Sequence, residues 1–313
     1  MLLQTLNLSD LKLANRLVMP PMATESTADG KVTQKLIDYY VARSGKIGLI
    51  ICEHAYVSPR GKASPGQLRL DEAADMQGLR ALTTAVHEQG VTKIIQQINH
   101  AGPQTKVVEN PFVVDTMTAA DIAAVKNEFV AAALRVKTAG FDGVEIHCAH
   151  GYLLNQFYSP RKNHREDEYG GDVAGRLRLT CEILTEVRRA VGADYLVAVR
   201  FGAVDYRENG SLLTEVAPAA KLLVQAGADL IDISGGLTGF MRRDCVTPGW
   251  FKAEAQAAKI GGGVSVLLTG GITSRETAED LLAAGVCDLI GVGRPLLQNP
   301  GVIDALLGND SAE

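Results

Sequence analysis

Several features that would place this chain in a special class of protein are missing from its sequence. No uninterrupted apolar run approaches the roughly 20 residues of a membrane span. No run of lysine or arginine occurs and the formal net charge is −5, which argues against a dominant role in binding nucleic-acid phosphates. The opening Met-Leu-Leu-Gln-Thr-Leu lacks the basic start and cleavable apolar core of a secretion signal. We therefore expect a cytoplasmic protein with neither membrane nor nucleic acid as a partner.

Cysteine is scarce, and its spacing matches no cross-linked class. There are five cysteines, an odd number, and no two stand at a Cys-x-x-Cys spacing. This excludes a disulfide framework or a zinc ribbon as the expected architecture. Four of the five lie within apolar stretches, where we expect buried structural thiols. The cysteines are Cys52, Cys148, Cys181, Cys245 and Cys287.

The sequence does contain eight short, apolar, β-branched runs, which predict strands covered on both faces. Helical windows separate them. The clearest carries apolar residues at steps of three and four from Ile122 to Ala139. Thr118 and Asp121 form a capping-box pattern at its start, and Gly140 stands where a C-terminal cap belongs. The predicted strands are Leu17–Met22, Gly48–Val57, Thr92–Ile98, Gly143–Cys148, Tyr195–Phe201, Leu230–Ser234, Ser265–Thr269 and Leu289–Val292.

Eight strands, each followed by a helix, predict an α/β fold, a single (β/α)8 TIM barrel that forms one domain over residues 1–313. A doubly wound open sheet shows the same alternation, but the count of eight favours the closed barrel. In such barrels the active site lies at the C-terminal ends of the strands. The search for chemistry is thereby confined to eight short windows.

The fourth window carries two imidazoles and a phenol within six residues, His147, His150 and Tyr152. Both imidazoles can donate hydrogen bonds to an oxygen that becomes negative during a reaction, and the phenol can deliver a proton to carbon. Two other interpretations remain open. One is a metal site completed by a carboxylate such as Glu145, and the other is a purely structural histidine pair.

Amide, guanidinium and glycine groups occupy other strand ends. Gln97 can pair with a flat heterocycle or be satisfied by neighbouring backbone. Arg200 can neutralise an anion delocalised over a ring or form a salt bridge in the barrel mouth. Gly271, Gly293 and Arg294 follow the last two strands, where barrels commonly hold phosphate. Because no Gly-x-Gly-x-x-Gly motif follows a strand, the set suits flavin mononucleotide (FMN) better than a Rossmann-bound nicotinamide.

The segment HCAHGYLLNQFYSPRKNHREDEYGG, from His147 to Gly171, closely resembles the signature of the old yellow enzyme family. Its members are FMN-containing NAD(P)H oxidoreductases on a TIM barrel. The run Asn15–Met22 looks like the family's first strand, and His100-Ala101-Gly102 also matches. The resemblance extends to Gly293-Arg294-Pro295-Leu296 and so covers nearly the whole chain.

The resemblance implies a set of binding roles. Gln97 would bond the pyrimidine edge of the flavin, and Arg200 would stabilise the reduced anionic ring at its N1/O2 edge. Gly293 and Arg294, helped by Gly271, would hold the phosphate. The backbone at His54 would close the end of the second strand. The turn residues that would line one side of the flavin are Pro20, Pro21, Met22 and Ala23.

The resemblance also implies a reaction. His147 and His150 would bind the carbonyl or nitro oxygen of an activated alkene. Hydride would pass from flavin N5 to the β-carbon and Tyr152 would protonate the α-carbon, after NADH or NADPH had reduced the flavin. Three alternatives remain open: electron transfer to free flavin, quinone or oxygen, a metal-dependent hydrolase or lyase using both histidines, and a flavin-binding protein with degraded catalysis. The sequence leaves open the natural substrate, the preferred nicotinamide, and whether the chain is a monomer or a homo-oligomer.

Two departures from the family pattern concern the pocket. Ala23 stands where members often carry threonine or cysteine near flavin O4. Only fifteen residues separate Gly102 from Thr118, fewer than in many relatives, which predicts a more open pocket. The run from Asn163 to Gly171 is interpreted as structural, bracing the loop after the fourth strand.

Overall fold

The computed structural model describes residues 1–308 of the chain. Eight parallel strands close into a barrel in chain order, because the last strand pairs with both its predecessor and the first. Two short antiparallel strands precede them. The strands are β1 Leu6–Leu8, β2 Leu11–Leu13, β3 Leu17–Met19, β4 Leu49–Tyr56, β5 Lys93–Asn99, β6 Gly143–Cys148, β7 Leu196–Val204, β8 Leu230–Gly235, β9 Ser265–Thr269 and β10 Leu289–Gly291.

Helices cover the outside of the barrel between successive strands. The window predicted around Ile122–Ala139 is helical. The helices are α1 Gln34–Val41, α2 Met76–His87, α3 Ala119–Thr138, α4 Leu153–Tyr158, α5 Val173–Val191, α6 Leu213–Gln225, α7 Lys252–Gly262, α8 Arg275–Ala283, α9 Arg294–Gln298 and α10 Val302–Leu307. The prediction of a closed barrel is confirmed, and the open sheet is excluded.

Two strand ends differ from prediction by three residues, whereas the other differences are of one residue. Strand β3 ends at Met19 rather than Met22, because Pro20 and Pro21 have no N–H to give to the ladder. Strand β7 continues past Phe201 to Val204, with a register shift against β8 near its end. Arg200 therefore lies inside this strand and not at its tip.

The hairpin of β1 and β2 was not predicted, and it determines which end of the barrel is open. Leu8 and Leu13 are buried against residues at the starts of the barrel strands, including Leu49, Leu230 and Leu289. An apolar plug therefore closes the N-terminal end. Only the C-terminal ends of the strands are left to form a site, as the barrel rule requires.

Local sequence signals explain the boundaries of α3. The Thr118 side chain accepts from the backbone N–H of Asp121, and the Asp121 carboxylate accepts from the N–H of Thr118. Both hydrogen bonds of the predicted capping box are thus present. Gly140 has φ of 88°, the left-handed conformation that ends a helix at little cost for glycine.

The loop after β6 is braced as predicted. Asn163 donates to the carbonyl oxygens of Phe157 and Tyr169, each at 2.7 Å. Arg165 pairs with Asp167 and donates to the carbonyl of Val114. These bonds hold the segment against the barrel rim, away from the cavity described below.

The cysteines are all free thiols. Cys52, Cys148 and Cys287 are buried as expected, but Cys181 is only partly buried, because α5 turns it toward a surface groove beside Lys126. No helix within residues 1–308 is both long enough and apolar enough to cross a membrane. The last five residues of the predicted domain lie outside the described range.

Candidate active site

One cavity of about 690 Å³ lies at the C-terminal ends of the barrel strands. Every residue that the sequence singled out for catalysis or cofactor binding lines it. Residues far apart in the chain meet here because parallel strands present the same ends to one mouth. These residues are Pro20, Pro21, Met22, Ala23, His54, Gln97, His147, His150, Tyr152, Arg200, Gly271, Gly293 and Arg294.

The histidine–tyrosine cluster lies at the end of β6. The ring centroid of His147 is 5.0 Å from that of His150 and 5.0 Å from that of Tyr152. Burial lowers the pKa of both histidines well below the usual value, and Arg200 acts in the same direction. Burial also raises the pKa of Tyr152, an effect that Glu25 reinforces. At neutral pH the cluster therefore consists of two neutral imidazoles and a protonated phenol.

The backbone after β6 fixes the direction of the His150 side chain. His150 has φ of 60°, an uncommon value for a residue with a side chain, and Gly151 follows with φ of 76°. The His150 N–H donates to the carbonyl of Gly235, and that of Gly151 to the Asn155 side chain. Nε2 of His150 lies 2.7 Å from the hydroxyl of Ser234. This ring is therefore held from both its backbone and its far nitrogen.

Gln97 is oriented by a buried carboxyl group. Its Nε2 donates to Oε2 of Glu145 at 2.6 Å, so its Oε1 faces away from Glu145. Backbone carbonyls instead satisfy the amide of the neighbouring residue, Gln96, whose side chain donates to the carbonyls of Glu53 and Gln97. Gln97 thus remains suited to pair with a heterocycle at the cavity wall.

Arg200 forms one of the two contacts considered for it, a salt bridge. It lines the cavity, and its Nε lies 3.2 Å from Oδ2 of Asp232, which is completely buried inside the barrel. Burial raises the pKa of Asp232 to about 6, although Arg200 lowers it. Burial and the charge of Asp232 together raise the pKa of Glu145 well above its usual value. Beneath the cavity, one cation thus faces one carboxylate and one protonated carboxylic acid.

The glycine-rich ends of β9 and β10 meet beside a tryptophan. A Cβ on Gly271, whose φ is 69°, would lie 2.8 Å from Nε1 of Trp250. The guanidinium carbon of Arg294 lies 5.3 Å from the Trp250 ring centroid. The buried hydroxyl of Thr269 has no hydrogen-bond partner within the described part of the chain. This corner provides glycine backbone, one cation and an unused hydroxyl.

Two aromatic lining residues were missed by the sequence reasoning. Phe240 and Trp250 come from the long segment between β8 and α7. Phe240 is 59% exposed, and its ring centroid is 6.0 Å from that of His150. Trp250 is the chain's single tryptophan, and its place after a barrel strand was a usable signal. No residue between Gly102 and Thr118 lines the cavity.

This geometry does not support the interpretation of His147 and His150 as metal ligands. Glu145, the carboxylate considered as its third ligand, bonds to Gln97 inside the barrel. Among residues 1–308, no three histidine, cysteine or acidic side chains are grouped so that they could hold a metal ion.

The groups present fit a phosphorylated flavin. Gln97 offers an amide to a ring with donors and acceptors, and Arg200 offers a cation. Gly271 leaves room that a Cβ would fill, and the unpartnered Thr269 hydroxyl lies in the same corner. Arg294 supplies charge there for a phosphate.

Sequence comparison identifies relatives over almost the whole chain. The model of the NADH:flavin oxidoreductase / NADH oxidase family matches residues 1–115 and 104–307. An NADH oxidase of Thermoanaerobacter brockii is 40% identical over 94% of this chain and 48% of its own length. An NADPH dehydrogenase of Bacillus subtilis is 36% identical over 94% of this chain and 90% of its own. The chain thus spans about half of the first relative and nine-tenths of the second.

Solved structures share the fold. A 2-naphthoyl-CoA reductase in complex with 2-naphthoyl-CoA superimposes with a TM-score of 0.92 at 24% identity, covering 98% of this chain and 52% of that one. Morphinone reductase in complex with tetrahydroNAD gives 0.85 at 22% identity, covering 100% and 92%. An old yellow enzyme homologue from Zymomonas mobilis gives 0.83 at 24% identity, covering 99% and 93%.

These matches confirm the resemblance found in the sequence. They agree with a barrel whose open end holds groups suited to a phosphorylated flavin. The chain therefore belongs to the NADH:flavin oxidoreductase / NADH oxidase family, the FMN-dependent NAD(P)H oxidoreductases of old yellow enzyme type.

Proposed function

We propose that this chain reduces the C=C bond of α,β-unsaturated carbonyl or nitro compounds. The observation that carries the proposal is the cluster of His147, His150 and Tyr152, which places two imidazoles and a phenol on one cavity wall. This wall offers donors for an oxygen and a proton for carbon, which are the two things that reduction of an activated alkene requires besides hydride.

We assign cofactor binding to the other walls. Gln97 and Arg200 would hold the ring, and Gly271, Gly293 and Arg294 the phosphate. The apolar turn from Pro20 to Ala23 would cover one side, with the His54 backbone at the end of the second strand. Bound FMN supplies the hydride, which it receives from NADH or NADPH.

The chain's own residues then perform binding and proton transfer. His147 and His150 donate to the substrate oxygen and stabilise the negative charge that develops there when hydride reaches the β-carbon. Ser234 fixes the ring of His150 for this purpose. Tyr152 donates its phenolic proton to the α-carbon, and its raised pKa keeps that proton in place until then.

An anaerobic half-reaction tests the proposal. The protein is reduced with NADPH and mixed with 2-cyclohexenone while the flavin absorbance is followed. We expect prompt return of the oxidised spectrum with cyclohexanone as product. Tyr152→Phe should slow this return by about 100-fold or more, the usual contribution of a general acid. His147→Ala should weaken substrate binding, and unchanged alkene reduction in both variants would refute the proposal.

A second candidate is transfer of electrons to oxygen or quinone. The 40% identity to a protein named NADH oxidase favours it. In this case the reduced protein would remain reduced in the presence of 2-cyclohexenone and would reoxidise when oxygen or a quinone was admitted. His147→Ala would then have little effect on turnover. The half-reaction therefore separates the two candidates in one experiment.

A further inference from the structure

The side chain of His54 reaches the cavity because strand β4 is irregular at this point. The pairing of β4 with β5 shifts register between Cys52 and Ala55, so that His54 lies in a bulge. Bulges re-aim side chains and are common beside active sites. Cys52 and Ala55 are completely buried, whereas His54 is partly exposed and lines the cavity.

Two buried amides fix which nitrogen of His54 carries the proton. Oε1 of Gln67 accepts from the N–H of Ala63 at 2.6 Å, so the Nε2 group of Gln67 must face the other way. That Nε2 lies 3.0 Å from Nδ1 of His54, and Nδ2 of Asn99 lies 3.1 Å from the same atom. An amide NH2 group can only donate. Nδ1 of His54 is therefore an acceptor, and the proton is on Nε2.

The ring of His54 is neutral as well as fixed. Burial lowers its pKa to about 4, with Arg200 acting in the same direction and Glu25 in the opposite one. Within residues 1–308, the hydrogen bonds of the His54 ring involve Nδ1 alone. The ring centroid lies 5.3 Å from that of Tyr152 and 6.1 Å from that of His147. A free, oriented N–H donor thus stands next to the proton donor and the oxygen-binding pair.

We propose that His54 is a specificity-determining residue, whose Nε2–H binds a second hydrogen-bond acceptor of the substrate. This inference rests on the proposed function. The first acceptor occupies His147 and His150, and the second is attached on the other side of the double bond, as in a 1,4-enedione. Substrates with two such oxygens are then favoured over matched monoketones.

A pair of ketones that differ in one oxygen tests this proposal. The substrates are 2,6,6-trimethyl-2-cyclohexene-1,4-dione and 2,6,6-trimethyl-2-cyclohexenone. The variants are His54→Leu, which removes the donor, and His54→Gln, which keeps an N–H donor. We expect the dione-to-monoketone ratio of kcat/KM to fall by about tenfold in His54→Leu, the effect of one neutral hydrogen bond. His54→Gln should retain most of the ratio.

A parallel loss with both ketones, or an unchanged ratio in His54→Leu, would show that His54 is only structural. Tautomer measurement by 15N NMR gives an independent readout. The chain has six histidines, and the His54 variants assign the relevant signals. We expect a protonated Nε2, and a protonated Nδ1 would overturn the proposal. Retained FMN content and thermal midpoint establish that the variants are folded.

Failure of the proposed function can be distinguished from failure of the inference about His54. If neither ketone reoxidises the reduced wild-type protein, the alkene-reductase assignment fails. The dissociation constants of both ketones for the oxidised holoenzyme, read from the flavin spectrum, then still test His54. A preference for the dione that disappears in His54→Leu supports its role as a donor, and equal affinities refute it.

Discussion

The guanidinium of Arg200 lies 3.2 Å from the carboxylate of Asp232, and both are enclosed by the barrel strands beneath the cavity. Glu145 lies in the same enclosure, so that two acidic groups accompany one cation. Removing charges from water costs several kcal/mol per ion. The group therefore keeps one proton, and Glu145 holds it while Asp232 balances Arg200. Two predictions depend on this division of roles.

The two acids should respond differently to amide substitution. At neutral pH Glu145→Gln should not lower the free energy of unfolding, since it replaces a protonated acid with a group of the same shape that the unfolded chain cannot ionise. Asp232→Asn should cost about 3 kcal/mol, because Arg200 loses its counter-charge. In that variant Glu145 can ionise and take over, so the double variant should lose more than the sum. Urea unfolding with FMN content checked measures all three, and equal effects of the single changes would contradict this assignment.

The acidic pair also predicts a pH dependence of stability. Because the folded-state pKa of Glu145 is raised above its usual 4.5, the folded protein binds more protons than the unfolded chain above that pH. This group's contribution to the free energy of unfolding therefore falls as the pH rises from 4.5 toward the folded-state pKa. Glu145→Gln removes the contribution and leaves the other groups in place. The difference in unfolding free energy between wild type and variant should shift in favour of the variant from pH 5 to pH 8, whereas parallel pH profiles would disprove the raised pKa.

An alanine at Gly271 should have two separable effects, one on the backbone conformation and one on the contact with Trp250. Gly271 and Gly285 have similar left-handed φ values, 69° and 66°, but a Cβ at Gly285 would meet nothing within 4 Å. Both alanine variants should therefore lose about 1 kcal/mol of stability from the backbone alone. Only Gly271→Ala should also displace Trp250, since overpacking costs about 1–3 kcal/mol. Fluorescence titration should then show FMN affinity reduced about tenfold in Gly271→Ala and not in Gly285→Ala, and similar affinities would mean that this corner does not touch the phosphate.

Ser234 should affect substrate turnover through its hydrogen bond to His150. Its hydroxyl lies 2.7 Å from Nε2 of His150, and without it the ring loses the contact that fixes its orientation. Ser234→Ala should lower kcat/KM for 2-cyclohexenone by roughly tenfold, the value of one hydrogen bond. Ser44→Ala is a matched control, because that hydroxyl donates to the Val41 carbonyl far from the cavity. Equal effects of the two substitutions would argue against a fixed His150 in substrate binding.

The secondary structure could be predicted because its signals are local. Strands buried on both faces have to be apolar and short, and the helix of α3 has its cap residues in the adjacent sequence. The strand count then implied a barrel, and the barrel rule placed the site residues at one end. For this reason the sequence alone assigns His147, Gln97 and Arg294 to a common cavity.

The failures have the opposite cause, since they depend on contacts between distant segments. The hairpin of β1 and β2 has three-residue strands, too short for a periodic signal, and its burial comes from the barrel floor. Phe240 and Trp250 belong to a segment without periodicity, and only its path across the mouth brings them to the cavity.

The sequence by itself determined the order of elements, the closed barrel and the set of side chains at its open end. The first two follow from apolar patterning, capping and strand count, which are properties of neighbouring residues. The set of side chains also drew on the resemblance to the old yellow enzyme family, which alone pointed to His54. The tertiary structure alone decided how those side chains are held and charged. The tautomer of His54 depends on Gln67 and Asn99, and the proton on Glu145 depends on Asp232. Hydrogen bonds and burial in the folded barrel set these states, and no residue's immediate neighbours in the chain encode them.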